Sequence, residues 1–413
     1  MKLGILSQFY PPETGAPQAR LSELARHFRA RGHEVTVLTA LPSYPRGRIY
    51  PGYRTLFRRE ELDGIRVLRT PAYPTRSAAM IPRLLNWGSF AATAAVAGTV
   101  LLPRLDYLLV ESPPLTLGPV AFLLSRPRRA KLVFNVSDLW PESALRLGAV
   151  SSSSPAYRAA AALEAACYRW AWLVTGQSRE IVASVRERFP HTRTYHLSNG
   201  VDTTLFRPEP PMSGAEEAAS GGLTVMYAGL HGIAQGLGQL LDAAARLPAT
   251  SAARFVFVGD GPEREELVAR ARSEGLTRVE FLAARPRDEI PALLARADIL
   301  VVPLKDRIPG AVPSKLYEAM AVARPVILIA EGEPAGIVET SGAGIVVAPG
   351  DVDGIVDAVL RLEADPDLRA TLGRNGRRAA VERYDRAAIA VDFAELLEAE
   401  LAAGGNAVED PDA

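Results

Sequence analysis

The sequence has little of the residues on which thiol and metal chemistry depend. Its 413 residues include one cysteine, Cys167, and five histidines. A single cysteine cannot form an internal disulfide, and no Cys/His spacing typical of a metal site is present. Because Cys167 stands in an apolar helical stretch, we expect buried packing rather than a nucleophile. These shortages exclude a structural disulfide and fit a reducing, cytoplasmic setting.

A net charge of either sign is also missing, since 47 basic residues balance 47 acidic residues. Whole-chain electrostatics therefore give no reason to expect nucleic acid as a partner. The apolar N-terminal stretch is interrupted by Pro11 and Pro12, too early for a signal peptide. Trp87 to Leu102 is apolar but Ala-rich and is followed by Pro103, so we expect a buried helix, with membrane contact as the alternative.

No Gly-x-Gly-x-x-Gly fingerprint follows the first predicted strand, which disfavours an NAD- or FAD-dependent oxidoreductase. The sequence does have a steady alternation of short apolar, β-branched runs with helical segments. This pattern predicts parallel sheets covered by helices on both faces. The strands predicted in the first half are Lys2–Ser7, Glu34–Thr39, Ile65–Thr70, Tyr107–Glu111, Lys131–Val136, Leu173–Gly176 and Thr194–Leu197. Those predicted in the second half are Leu223–Ala228, Arg254–Val258, Val279–Leu282, Ile299–Val302, Pro325–Ile329 and Gly344–Val347.

One segment, residues 206–222, breaks the alternation and is rich in Pro, Gly and Ser, so it is the best candidate for a linker. A chain of this length suits two cores of similar size. We therefore predict an α/β fold of two doubly wound, Rossmann-like domains facing across a cleft, with ligands outside the carboxyl ends of the strands. The N-terminal domain would span 1–205 and the C-terminal domain 223–385. A last helix over about 386–402 would pack back onto the first domain.

The segment most informative about chemistry is Pro309–Pro325, PGAVPSKLYEAMAVARP. Pro313 and Ser314 predict a helix start with Ser314 as N-cap, and free amides at such a start favour a diphosphate. Lys315 could neutralise the charge of a departing diphosphate. Glu318 shares a helix face with Ser314, and its carboxylate could accept hydrogen bonds from a ribose diol. On pattern alone, a capped surface helix with an ordinary Lys/Glu pair explains the segment equally well.

This segment resembles the donor-site helix of glycosyltransferase family 4, whose members are retaining enzymes with the GT-B fold. Within the family, the chain is most similar to the branch that makes capsule, colanic-acid-type and O-antigen sugars. Four further segments carry the resemblance in the same order and spacing, and together they span nearly the whole chain. They are Phe9–Ala16, Asp138–Ser143, Ser198–Asp202 with Phe206 and Pro208, and Val258–Pro262.

The resemblance implies roles for individual residues. The residues implied in donor binding are Gly15, Ala16, Gly229, His231, Gln235, Gly259, Ala284, Arg285, Ser314, Lys315, Leu316 and Glu318. Those implied in catalysis are Asp138, Gln235, Lys315 and Glu318, and those on the acceptor side are Asp138, Trp140 and Glu142. The implied reaction moves a hexose or hexosamine, with an amino sugar or deoxysugar plausible, from a nucleotide-diphosphate donor to a lipid-linked glycan. UDP is the favoured carrier, and the departing diphosphate receives the acceptor proton.

Three positions depart from the family's pattern. Gly310 stands where many members have the first of two glutamates. Leu230 and Gln235 stand near an arginine and a lysine of the loop after the second domain's first strand. Another cation must then meet the diphosphate charge. The candidates are Lys315, Lys305, Arg307, Arg179 and His231.

Neither a metal nor another cofactor is expected. Asp351–Asp353 resembles an Asp-x-Asp metal motif, but it follows a Pro-Gly pair and precedes an apolar helix, which predicts a helix cap. Basic residues interleave with apolar ones over 76–87 and 125–131. Such a surface would suit a lipid-linked acceptor and peripheral attachment to the inner face of the cytoplasmic membrane. A solvated basic loop explains the same residues equally well.

Two other functions stay open from the sequence. A nucleotide-sugar 2-epimerase can share this two-domain architecture, but such an enzyme normally needs several acid/base carboxylates and histidines facing the sugar, and few are visible here. A nucleotide-sugar-binding protein without catalysis would accommodate the departures at Gly310, Leu230 and Gln235.

Overall fold

The computed structural model describes residues 1–77, 79–146, 151–208 and 222–405. The chain divides into two compact units. Unit 1 comprises Met1–Asn199 and the chain from Arg386 on, and unit 2 comprises Gly200–Asp385. Each unit contains a largely or wholly parallel sheet covered by helices, as the alternating pattern predicted.

The sheet of unit 1 has eight strands among the described residues, in the order β3-β4-β2-β1-β5-β6-β7-β8. All neighbours are parallel except β3 and β4. The strands are β1 (Lys2–Leu6), β2 (Glu34–Ala40), β3 (Arg58–Leu62), β4 (Ile65–Thr70), β5 (Tyr107–Ser112), β6 (Lys131–Val136), β7 (Leu173–Gly176) and β8 (Thr194–His196).

Strand β3 is absent from the prediction because its sequence, RREEL, has no apolar run. It is an edge strand that pairs antiparallel with β4. The turn between them is Asp63-Gly64, and both residues have positive φ, 54° and 72°. Asp-Gly between two strands is a strong signal for a two-residue hairpin, and it was available in the sequence.

Helices cover both faces of this sheet. They are α1 (Ala16–Ala30), α2 (Met80–Leu101), α3 (Leu117–Ser125), α4 (Glu142–Arg146), α5 (Pro155–Trp170), α6 (Arg179–Arg188) and, from the end of the chain, α14 (Arg386–Gly405). Helix α14 packs against α1, with the rings of Phe28 and Phe393 at 6.1 Å. The hydroxyl of Tyr107 donates to the carbonyl of Leu397 at 2.8 Å. Cys167 on α5 is fully buried.

The sheet of unit 2 has six parallel strands among the described residues, in the order β11-β10-β9-β12-β13-β14. The strands are β9 (Thr224–Ala228), β10 (Arg254–Val258), β11 (Val279–Leu282), β12 (Ile299–Pro303), β13 (Val326–Ile329) and β14 (Gly344–Val347). The helices are α7 (Gly238–Arg246), α8 (Arg264–Ser273), α9 (Ile290–Ala295), α10 (Ser314–Ala321), α11 (Glu333–Ser341), α12 (Val352–Ala364) and α13 (Pro366–Arg383).

The strand order of each sheet reverses direction once. In unit 1 this switch point lies between β1 and β5, and in unit 2 it lies between β9 and β12. Loops at the carboxyl ends of such strands diverge and leave room for a ligand. A ligand is therefore expected at the loops that follow β1, β9 and β12.

The chain passes from unit 1 to unit 2 at Asn199–Gly200 rather than at the predicted residue 205. The residues after this point are held by unit 2. The N–H of Val201 donates to the carbonyl of Tyr384 at 2.8 Å, and the guanidinium of Arg377 donates to the carbonyls of Thr203 and Phe206. Of the predicted linker, residues 209–221 lie outside the described residues.

The prediction that the apolar helix, α2, is buried was wrong. Its buried residues form one stripe, Asn86, Phe90, Ala94 and Gly98. The helix is long and apolar enough to cross a membrane, and 22% of its most apolar 18-residue window is buried. A helix on a sheet needs only one apolar stripe to pack. The rest of its apolar surface is therefore not explained by the core of unit 1.

Candidate functional site

The loop Gly229–Gly236 follows β9 at the switch point of unit 2. The N–H of Gly229 donates to the carbonyl of Val258 at 2.8 Å, which fixes the start of the loop beside the end of β10. A Cβ on Gly259 would stand 1.9 Å from the carbonyl oxygen of Gly229. No side chain fits there, so glycine is required for the two loops to pack together.

Lys315 of α10 lies directly against Gly229. A Cβ on Gly229 would stand 1.9 Å from the lysine Cε and 2.7 Å from its Nζ. The ammonium is 5.9 Å from the ring centroid of Tyr227. Burial lowers the pKa of this amine, while the charge of Glu318 acts more weakly to raise it. A desolvated cation at a switch point is well placed to attract an anionic ligand.

Tyr227, near the end of β9, supports both the loop and the lysine. Its hydroxyl donates to the carbonyl of Leu230 at 2.6 Å. Burial raises the pKa of this hydroxyl, so it stays protonated and keeps donating. Sequence analysis missed this residue. The sequence feature that could have indicated it is a tyrosine hydroxyl near the carboxyl end of an otherwise apolar strand, where ligands bind.

The imidazole of His231 is wholly buried. It lies among the rings of Tyr227, Phe257 and Phe281, at centroid distances of 6.0, 6.4 and 6.2 Å. Burial lowers its pKa, and the charge of Arg264 acts in the same direction, so the ring is neutral at pH 7. The expected contact of this side chain with phosphate or sugar stays a prediction.

Helix α10 begins one residue earlier than predicted. Pro313 is the N-cap and Ser314 is the first helical residue, so the assignment of Ser314 as N-cap was wrong. No side chain caps this end, because proline carries no polar group there. The N–H of Leu316 already donates to the carbonyl of Pro313 at 3.0 Å. The amides left for a ligand are those of Ser314 and Lys315, and Glu318 follows on the same face, partly exposed.

The far end of the loop is held by the chain after β12. The N–H of Lys305 donates to the carbonyl of Ala234 at 2.9 Å. The side-chain oxygen of Gln235 is buried and has no hydrogen-bond partner among the described residues. A buried amide oxygen without a partner in this loop is a position at which a hydroxyl group of a ligand would complete the hydrogen bonding.

A cavity of about 410 Å³ also borders this loop. Its lining includes Ile233, Gln239, Arg270 and Lys305, but none of the predicted donor residues on α10. The cavity therefore borders the loop but not the start of α10. The other predicted donor residues in unit 2, Ala284 and Arg285, lie after β11 and are exposed.

In unit 1, the loop after β1 leads directly into α1. Gly15 immediately precedes the helix and Ala16 begins it, with no side-chain cap at this end. A Cβ on Gly15 would stand 2.5 Å from Oε1 of Gln18. This oxygen is buried without a hydrogen-bond partner among the described residues. The start of α1 is thus bare backbone beside an unpaired acceptor.

Glu13 fixes that loop to the loop after β2. Its buried carboxylate accepts hydrogen bonds from the N–H groups of Ser43 and Tyr44, both at 2.7 Å. Burial raises the pKa of Glu13 and these bonds oppose the rise. Sequence analysis included Glu13 in a motif but gave it no role.

On the acceptor side, Asp138 follows β6. Its carboxylate accepts a hydrogen bond from the hydroxyl of Ser143 at 2.9 Å, and burial raises its pKa. Trp140 packs edge to face on Trp87 of α2, with centroids 5.6 Å apart. Glu142 is the first residue of α4. The predicted acceptor residues therefore form one loop that is attached to α2.

Sequence analysis missed a buried polar network at the carboxyl ends of β5 and β6. Arg20 donates to the carboxylate of Glu111 at 2.5 Å and to the side chain of Asn199 at 2.9 Å. Asn135 donates to the second carboxylate oxygen of Glu111 at 2.7 Å. A glutamate and an asparagine within apolar strands were the available signal, since buried polar groups need partners.

The interpretation of Asp351–Asp353 as a helix cap is confirmed. The side chain of Asp351 accepts from the N–H of Gly354 at 2.9 Å, and Asp353 pairs with Arg246 at 2.6 Å. In the part of the chain that the structure describes, no group of three or more His, Cys, Asp or Glu side chains could hold a metal ion.

Two family models match the chain. Residues 15–200 match the one described as "Glycosyl transferase 4-like domain". Residues 213–379 match the one described as "Glycosyl transferases group 1". The first match contains Gly15 and Asp138, and the second contains Gly229 and Lys315.

Two curated relatives match over most of their length. The chain is 27% identical to the "Putative colanic acid biosynthesis glycosyl transferase WcaI" of Escherichia coli (strain K12), over 87% of this chain and 91% of that protein. It is 28% identical to a "GDP-mannose-dependent alpha-(1-6)-phosphatidylinositol monomannoside mannosyltransferase" of Mycolicibacterium smegmatis, over 71% of this chain and 85% of that protein.

Solved structures share the fold at low sequence identity. Sucrose-phosphate synthase from Thermosynechococcus elongatus has a TM-score of 0.78 at 20% identity, covering 97% of this chain and 99% of that one. Anabaena HepE in complex with UDP has a TM-score of 0.71 at 23% identity, and the match covers 97% of this chain and 100% of that one.

Proposed function

Because this chain is a glycosyltransferase with the GT-B fold, we propose that it moves a hexosyl or hexosaminyl group from a UDP-sugar to a lipid-linked glycan, with retention at the anomeric carbon. Assignment to the glycosyltransferases disfavours both alternatives, a nucleotide-sugar 2-epimerase and a nucleotide-sugar-binding protein without catalysis. The observation that carries the donor assignment is the ammonium of Lys315 against Gly229, beside the uncapped start of α10.

The choice of carrier rests on a neighbour and on the site. HepE was crystallised with UDP, whereas the mycobacterial relative is GDP-mannose-dependent. UDP is the proposed carrier and GDP is the alternative to test. The diphosphate would meet Lys315 and the amides of Ser314 and Lys315, and the ribose would meet Glu318. These groups supply charge and hydrogen bonds, so we propose no required metal.

The proposed transfer needs no protein nucleophile. The acceptor hydroxyl oxygen bonds to the anomeric carbon on the face that the diphosphate leaves. The bond between that carbon and the phosphate oxygen breaks, and the hydroxyl proton moves to the departing phosphate oxygen. Lys315 stabilises the negative charge that develops on the diphosphate. Asp138, on the acceptor loop, would orient the hydroxyl group.

The lipid-linked acceptor is proposed from the relatives and from the basic, apolar-edged surface of unit 1. One relative is named for colanic acid biosynthesis and another for a phosphatidylinositol mannoside. An acceptor of this kind stays in a bilayer, so we propose a cytoplasmic protein attached peripherally to the inner face of the membrane.

A thermal-shift screen with UDP, GDP, ADP and their sugars tests the donor assignment, because a ligand that binds only the folded state raises the melting temperature. We expect UDP and a UDP-sugar to give the largest rise. Glu318→Ala should bind UDP roughly tenfold more weakly, through loss of the ribose contact. Glu339→Ala, at an exposed position of α11, is the matched control. Equal UDP binding by both variants would remove Glu318 from the site, and a rise with GDP alone would replace UDP as carrier.

A further inference from the structure

Helix α2 has an apolar face that the described residues of unit 1 leave uncovered. No charged residue occurs from Leu84 to Leu101. Leu123 of α3, the helix that packs beside α2, is also exposed. Exposed apolar side chains in this number on one helix mark an interaction surface. The large exposed side chains of α2 are all aliphatic: Ile81, Leu84, Leu85, Val96, Val100 and Leu101.

The opposite side of α2 is fastened to unit 1 along its whole length. Near its start, the side-chain amide of Asn86 donates to the carbonyl of Tyr73 at 2.6 Å. Near its middle, Thr93 donates to the carbonyl of Pro71 at 2.6 Å. At its end, the guanidinium of Arg128 donates to the carbonyl of Gly98 at 2.7 Å and to others of the last turn. A helix held in this way cannot turn to cross a bilayer, but it can lie along one.

Positive charge stands at both ends of the apolar face. At the start of α2, the guanidinium of Arg83 lies 4.9 Å from the ring centroid of Trp87. At the other end, Arg126 and Arg129 flank Arg128, which holds the last turn of α2, and both are exposed. Arg104 follows the helix and is exposed as well. Apolar side chains bordered by arginines match the surface of an anionic bilayer, which offers acyl chains below negatively charged headgroups.

We propose that α2 docks this protein on an anionic lipid bilayer, with Val96 and its neighbours inserted among the acyl chains and the arginines among the headgroups. The proposal deepens the proposed function, because Trp87 on α2 packs on Trp140 of the predicted acceptor loop. Docking would therefore set the height of that loop above the headgroups, where the glycan of a lipid-linked acceptor begins.

Co-sedimentation with vesicles tests the docking without donor or acceptor. The vesicles are phosphatidylcholine alone and phosphatidylcholine with phosphatidylglycerol. We expect binding to the anionic vesicles, weakened about tenfold by Val96→Glu. Val381→Glu, at an exposed position of α13 in unit 2, is the matched control and should bind like the wild type. Neutralising Arg126 and Arg129 by glutamine should weaken binding about fivefold per charge.

Tryptophan fluorescence gives a second readout on the same vesicles. Brominated acyl chains should quench the emission of the wild type, and Trp87→Phe should lose most of that quenching. Equal binding by Val96→Glu and Val381→Glu, or no binding to anionic vesicles, would overturn the proposal. So would a dimer in size-exclusion chromatography without lipid that Val96→Glu dissociates, since a second copy would then cover the face. Intact docking without transfer would overturn the proposed function alone.

Discussion

Replacing Lys315 by methionine should separate donor binding from folding. Methionine keeps a long, unbranched chain but removes the ammonium that lies against Gly229. Because burial lowers the pKa of this amine, the charged form is disfavoured in the ligand-free fold. We expect the variant to be at least as stable as the wild type without ligand, and to bind UDP poorly.

The size of the loss follows from the contact that disappears. A hydrogen bond to a charged group contributes about 2 to 3 kcal/mol when its partner is buried, roughly a 30- to 150-fold change in Kd. At a UDP concentration of about 100 Kd, the wild type gains about 2.7 kcal/mol in free energy of unfolding. After a rise of about 50-fold in Kd, the same concentration gives a gain of only about 0.6 kcal/mol.

Thermal unfolding with and without UDP measures this difference. Arg361→Met is the matched control, since Arg361 is an exposed cation of the same unit, on α12, and is not among the predicted donor residues. The reasoning is refuted if Lys315→Met keeps the full UDP shift, or if both variants lose it equally.

The same amine predicts a pH signature in the ligand-free protein. Its pKa in the fold lies below the ordinary 10.5. Between those two values the unfolded chain binds more protons than the fold, so stability rises with pH through that window. The rise should be smaller in Lys315→Met, and urea titrations across alkaline pH would reveal it. Identical profiles for the two proteins would show that the amine is not desolvated.

Two further predictions concern Gly229 and the contact between α14 and α1. Gly229→Ala would put a methyl group 1.9 Å from Cε of Lys315, so the lysine must move. UDP affinity by calorimetry should fall about as far as in the methionine variant, and unchanged affinity would contradict the packing. Glu398→Gln removes a carboxylate whose pKa is lowered by the hydrogen bond from Arg31. Its stabilisation is present above the ordinary pKa of 4.5 and is lost as pH falls through the folded value. Urea unfolding should therefore show a gap between wild type and variant near neutral pH that closes in acid; a gap of equal size in acid would rule out the ion pair.

The strands were predictable because a parallel strand covered on both faces must be apolar on both faces. Every strand predicted as an apolar run is present within one residue of its predicted ends. Strand β3 was not predicted because it is a charged edge strand without an apolar run. Helix α2 was predicted to be buried but is largely exposed. Its alanine-rich sequence has the composition of a buried helix, while three-dimensional packing uses only the stripe through Phe90 and Ala94.

The site was predictable where its residues are close in sequence. The start of α10 and Lys315 stand in one short motif, although the sequence predicted a cap by Ser314 that is not there. Gly229 directly follows a predicted strand. Glu13 and Arg20 were not predictable, because their partners come from distant segments. Arg20, for example, meets Glu111 on β5. Sequence spacing carries no information about such contacts until the sheet brings the loops together.

Unit 2 is one uninterrupted stretch of chain, whereas unit 1 is completed by a helix made after it. Phe393 and Leu397 of α14 belong to the core that also contains Phe28 of α1. A ribosome would therefore deliver every residue of unit 2 before unit 1 can bury this apolar surface. Unit 1 is therefore synthesised first but completes its fold last. Until α14 is made, the apolar surface around Phe28 is exposed, and a chaperone would have to shield it.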